Sequence, residues 1–205
     1  MDLTFSLPIY ILVVLYAFLG GAIKFIDQAY DEERYSRKLA NLVAIVAGIT
    51  MGGLMALDSP FSTAFYGAMI LSLVLARKID NRAFLAGTLI AALTLLVLWS
   101  VTGPEVLLVP LVVFILAGFL DEVVDGLAQK AKAPKIVRWV MLYRPLSDVA
   151  LVAMMLLGWF PWYYLVPYFA FTFAYLAMER LSWIDTGSVM RDFLSRAISM
   201  IHIRP

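Results

Sequence analysis

The chain has 205 residues, of which 63% are hydrophobic and 15% charged, with a mean hydropathy of +0.89. A soluble domain is about half apolar and a quarter charged, so this composition belongs to a polytopic membrane protein. The absence of cysteine excludes disulfides, thiolate metal sites and cysteine nucleophiles. The single histidine, His202, argues against a catalytic triad or a His-rich metal site, and a net charge of +1 offers no basic surplus for nucleic acid.

The start, Met1 to Ser6, has no Lys or Arg ahead of its apolar run and no clear small-residue cleavage site, so the first run is expected to remain in the mature protein. Seven apolar runs approach the length needed to span a bilayer at about 1.5 Å per residue. They are 6–26, 38–57, 61–77, 83–102, 105–121, 145–160 and 162–180. The fold class expected is all-α, a membrane bundle of about seven helices over 1–185, followed by a cytoplasmic amphipathic helix and tail over 186–205.

The connections alternate in character. After runs one, three, five and seven the chain is charged: Asp27 to Lys38, Arg77 to Arg82, Glu122 to Arg144, and Arg180 onward. After runs two, four and six it turns within a few residues, at Asp58-Ser-Pro60, Gly103-Pro104 and Phe160-Pro161. Prolines there suit the start of a following helix, where no backbone N–H is needed. All sixteen Lys and Arg fall on or beside the charged loops, against Asp2, Asp58 and Glu105 on the other side. Basic residues in short loops stay cytoplasmic, which places the N-terminus outside and the C-terminus inside the cell membrane. Trp99, Trp159, Trp162, Tyr163 and Tyr164 then form an outer aromatic belt, and Tyr30, Tyr35, Trp139, Tyr143 and Trp183 an inner one.

Run six has the shortest clean apolar part, and residues 136–144 before it read as a segment lying along the interface. A faint internal repeat pairs the end of run one, Gly-Gly-Ala-Ile-Lys-Phe-Ile-Asp27, with the end of run five, Leu-Ala-Gly-Phe-Leu-Asp121. Asp80 and Asp185 close runs three and seven in the same way, giving three helices, a linker helix and three more in one orientation. Gly48 and Gly52 have the spacing that lets helices approach, read here as packing within the bundle. Pro110 and Pro167, inside runs five and seven, are expected to kink them. Residues 188–203 carry one apolar stripe opposite Arg191, Asp192 and Arg196, the pattern of a helix on the inner membrane surface or on the protein's own cytoplasmic face.

Two acidic stretches stand out: Asp27-Gln-Ala-Tyr-Asp31 and Asp121-Glu-Val-Val-Asp125. On a continuous helix, carboxylates four residues apart lie about 40° apart around the axis and repel. They call for a cation between them, either a Lys or Arg or a divalent metal. Internal ion pairs such as Asp27 with Lys24 and Asp31 with Arg34 are one answer. Mg²⁺ or Mn²⁺ is the other, held by Asp27, Asp31, Asp121 and Asp125, with Asp80 and Asp148 as further catalytic acids. Arg82, Lys130 and Arg144 would then bind substrate phosphate.

The two DxxxD stretches at cytoplasmic helix ends resemble those of the UbiA-type intramembrane prenyltransferases. That resemblance implies that the motifs Asp27/Asp31 and Asp121/Asp125 hold Mg²⁺ and an isoprenyl diphosphate. Glu122-Val-Val-Asp125-Gly126 through Lys130, followed by Arg144-Pro-Leu-Ser-Asp148, resembles the CDP-alcohol phosphotransferase motif, which implies transfer of a phospho-alcohol. The function expected is a Mg²⁺-dependent membrane enzyme acting on a phosphorylated lipid or isoprenoid at the cytoplasmic leaflet. Its partners would be the bilayer and that amphiphile, with an oligomer left open. The alternatives are a small transporter or channel, including one for divalent cations, and a non-catalytic scaffold docking through the C-terminal helix. Against transport, no acid or base is expected near the middle of a span.

Overall fold

The structure is a computed structural model describing residues 7–132, 134, 136, 137, 140 and 144–183. Those residues form α1 (Ile9–Tyr30), α2 (Arg37–Leu57), α3 (Pro60–Leu75), α4 (Arg82–Thr102), α5 (Leu108–Lys130), α6 (Pro145–Leu156), a 3-10 turn (Trp162–Tyr164) and α7 (Leu165–Trp183). The described part is all-helical, as composition requires: in lipid only helices and closed barrels satisfy their own backbone. The expected amphipathic helix over 188–203 and most of the interfacial segment over 136–144 lie outside the described residues.

Three helices, α1, α2 and α4, are long and apolar enough to cross a membrane. Helix α3 has 16 residues and α6 only 12. At 1.5 Å per residue α6 is roughly 18 Å long, short of a hydrocarbon core of about 30 Å. Run six was expected to continue to residue 160, but α6 stops at Leu156, and Gly158 at φ 76° turns the chain.

Local chemistry sets the boundaries. Ser59 accepts from the Ser62 amide at the start of α3, with Pro60 in the first turn. Asn81 does the same for α4 through the Phe84 amide, and Gly103 closes α4 in the left-handed region at φ 55°. Pro110 and Pro167 were expected to kink their helices. Helices α5 and α7 instead begin at Leu108 and Leu165, so each proline is the third residue, where its missing N–H breaks no hydrogen bond.

Glycines carry the tightest contacts. A Cβ at Gly48 would come within 2.5 Å of the Gly87 carbonyl oxygen, and one at Gly52 within 2.4 Å of that of Ala91. This small-residue face of α2 packs on α4, inside the bundle. Gly20 meets Phe171, Lys24 lies over Tyr175 and Gln28 donates to the Glu179 carbonyl, so α1 and α7 run parallel. Gly67 beside Leu111 and Gly118 beside Ser72 show α3 and α5 running parallel too. Helix α5 also packs on α6, and α1 on α2. Helix α1 thus packs on α7 and α2, α5 on α3 and α6, and α2 on α4.

The core is aromatic toward the Asp58 end. Phe61 packs on Phe160 at 5.0 Å and on Tyr164 at 4.6 Å, and Phe65 on Tyr168 at 5.5 Å between ring centres. Aromatic burial there holds the 3-10 turn and α7 onto α3.

Candidate functional site

Helix α1 continues through Asp27 to Tyr30, and α5 continues nine residues past Asp121 to Lys130. Asp27, Asp121 and Asp125 are therefore within helices, and Asp31 is the residue just past α1. Hydrophobicity falls before the helix does, since polar positions 125 and 130 extend α5 without ending it. Lys24, also expected near a helix end, is buried at 8% exposure, six residues before the end of α1.

The first motif has a partner on its own helix. Lys24 Nζ donates to Asp27 Oδ2 at 2.9 Å, one turn apart, and lies 5.5 Å from the Tyr175 ring centre. Asp31, just past the helix, is raised above its ordinary value of 3.8, first by burial and then by the charges of Asp27 and Asp80. Lys24 and Lys78 pull in the other direction. Arg34, expected opposite Asp31, has its Nε 3.8 Å from Glu32 instead.

The second motif is committed differently. Asp121, 2% exposed, accepts from the Leu146 amide at 3.0 Å, the Ser147 amide at 2.8 Å and the Ser147 hydroxyl at 2.7 Å. It caps the first turn of α6 from a neighbouring helix, a carboxylate facing the positive end of a helix dipole. Next to it, buried Glu122 receives Arg144 in an ion pair and Lys78 at 3.8 Å. Arg144 holds the left-handed conformation at φ 50°, which turns the chain into α6. Asp148, one turn into α6, accepts from the Tyr168 hydroxyl. Asp125 is half-buried one turn beyond Asp121, and Arg82 and Lys130 are exposed at the ends of α4 and α5.

The two motifs meet through bases rather than directly. Lys78 stands between Glu122 and Asp31. Tyr175 lies in the electrostatic reach of both Arg144 and Lys24. A chain of charged and polar groups results, from Asp27 through Lys24, Tyr175, Arg144, Glu122 and Lys78 to Asp31. Asp80 joins it beside Asp31, Asp121 and Asp148 beside Arg144 and Tyr168, and Glu179 beside Tyr175. Acids outnumber the three bases Lys24, Lys78 and Arg144 in this group. The surplus is concentrated where Asp27, Asp31 and Asp80 repel one another.

Among the described residues no group of three or more His, Asp or Glu side chains is arranged to hold a metal. The physical reason is visible at each site, because Lys24 already neutralises Asp27 and the α6 amides already occupy Asp121. Sequence inspection missed the roles of Lys78 and Tyr175. Neither has a motif, and only the packing of α1 on α7 and of α3 on α5 brings them in.

Beside this centre a groove of about 370 Å³ opens between α1, α2 and α7, lined by Ala17, Phe18, Gly21, Ala22, Phe25, Leu39, Val43 and Met178. Its wall is almost wholly apolar, and Phe25 and Met178 are sequence neighbours of Lys24 and Glu179. Compared with known proteins, the chain matches no family model, no curated protein and no solved structure.

Proposed function

We propose that this is an integral-membrane enzyme that binds a phosphorylated lipid or isoprenoid, with a divalent cation, at the charged end of the bundle. On this reading the charged end faces the cytoplasm, the side on which basic loops stay. Mg²⁺ binds through one or two carboxylates, water and substrate phosphate. Asp31 and Asp80 are the pair suited to it, since the charge of Asp80 disfavours that of Asp31, whereas Asp27 is already held by Lys24. Lys78 and Arg144 are placed to receive phosphate oxygens, and the groove of α1, α2 and α7 to take the tail. Transfer at such a centre needs no side-chain nucleophile, because positioning and charge neutralisation lower the barrier. Asp121 has a structural part in this reading, and Asp148 with Tyr168 lines the far side.

The observation that carries the proposal is the excess of acid around Asp31, next to an apolar groove open to lipid. The test is Mg²⁺-dependent turnover of isoprenyl diphosphate and CDP-lipid substrates by Asp31→Asn and Asp80→Asn. Loss of turnover in folded variants supports the assignment, and unchanged turnover in both removes it.

One observation favours transport as a second reading. Helix α6 is half-length, and its first turn is held by Asp121, as in the interrupted helices of transporters. Ion flux into liposomes free of lipid substrate would support that reading over the enzymatic one.

A further inference from the structure

The end of the bundle opposite the charged loops carries a second polar feature, built from different residues. Among the described residues it has the acids Asp58 and Glu105 and no Lys or Arg. A cavity of about 410 Å³ opens there, walled by Ser59, Phe61, Glu105, Trp159, Tyr163 and Tyr164. The rings are fixed against one another: Tyr163 and Tyr164 are 4.6 Å apart at 35°, and Tyr164 rests on Phe61 at 4.6 Å. Asp58 lies behind the wall, accepting from Ser59 Oγ at 2.9 Å, from Ser62 Oγ at 2.5 Å and from the Tyr164 hydroxyl at 3.5 Å. No described base forms an ion pair with Asp58 or Glu105.

Two acids without a counter-ion favour a cation, and the aromatic faces decide its kind. A hard metal ion wants six or more oxygens, whereas the acids in this wall number one, Glu105, beside the rings of Phe61, Trp159, Phe160, Tyr163 and Tyr164. A large, weakly hydrated ammonium gains from ring faces directly, and aromatic cages with an acid are how such cations are recognised. The volume suits a small organic head group.

We propose that this cavity binds an organic ammonium, its charge set over the Trp159, Tyr163 and Tyr164 rings and opposite Glu105, with Asp58 behind them holding the Tyr164 hydroxyl. The site is independent of the phosphate-binding reading at the other end. The ammonium comes either from a free quaternary amine or from a choline-type lipid head group in the facing leaflet.

The experiment uses the full chain in a maltoside detergent, which has no ammonium group. Tetramethylammonium chloride is titrated against sodium chloride at equal ionic strength, with tryptophan fluorescence as the reading. A saturable change with tetramethylammonium alone is expected. Glu105→Gln and Tyr163→Leu should each weaken it by about two- to fivefold, the scale of one exposed cation–ring or cation–acid contact. Both residues are exposed, so both variants should fold. In nanodiscs, choline-headed lipid that abolishes the titration identifies the head group as ligand, and retention beside glycerol-headed and choline-headed lipid alike identifies the free amine. An equal response to sodium, or binding unchanged in both variants, overturns the proposal.

Discussion

Asp121 separates a structural carboxylate from a ligand-binding one. Replacing it by Ala leaves the Leu146 and Ser147 amides and the Ser147 hydroxyl facing a half-buried space. Losing a cap costs about 1–2 kcal/mol. Stranding a half-buried hydroxyl adds roughly another 1–2, for about 3 kcal/mol in all. In a chain of this size each kcal/mol lowers Tm by about 2–4 °C, so Asp121→Ala should melt about 6–12 °C below the parent. The assay is thermal unfolding in detergent followed by tryptophan fluorescence. Asp31→Asn, which removes repulsion from Asp27 and Asp80, should melt no lower than the parent. If Asp121→Ala melts at the parent temperature, the carboxylate does not hold α6 and its assignment as a cap is wrong.

Glycine contacts give a paired test. Gly20→Ala drives a Cβ to 2.1 Å from the Phe171 carbonyl oxygen and should destabilise by about 1–3 kcal/mol, whereas Gly53→Ala meets nothing within 4 Å and should be neutral or raise stability by up to about 1 kcal/mol. Parallel melting curves of the two variants check this. Asp58 is raised above its ordinary 3.8, by burial first, with the Ser62, Ser59 and Tyr164 hydroxyls opposing. The native state therefore holds its proton more tightly than the unfolded chain, so stability falls as pH rises from about 4 through the raised value. Tm measured against pH should show that fall in the parent and a flatter profile in Asp58→Asn. At the other end, Asp31 is also raised, so a divalent ion bound there must displace a proton, and Mn²⁺ affinity should increase with pH across the same range. An affinity independent of pH would place the ion elsewhere.

The helical frame was legible because hydrophobicity and turn residues agree. Pro60 and Gly103 mark the ends of helices as expected, and observed starts such as Arg37, Pro60, Arg82 and Pro145 fall within a residue of the apolar runs. The far end of α5 was not legible, since hydropathy reports where lipid-compatible residues stop, not where the helix does. Helix α6 was read as too long because Leu157 to Phe160 are apolar but turn at Gly158. Of the site, Asp27 with Lys24 could be read from spacing alone. Asp121 could not, because its partners lie 25 and 26 residues away on another helix and are backbone amides. The same holds for Lys78, whose place beside Glu122 depends on α3 packing along α5.

The most direct test is Mn²⁺ titration, read by paramagnetic resonance, with a short-chain prenyl diphosphate present. The proposed site predicts one bound ion in the parent protein and in Glu33→Gln, whose carboxylate pairs with exposed Arg37. It predicts loss of that ion in Asp31→Asn and in Asp80→Asn. Undiminished Mn²⁺ binding in both Asp variants would contradict it.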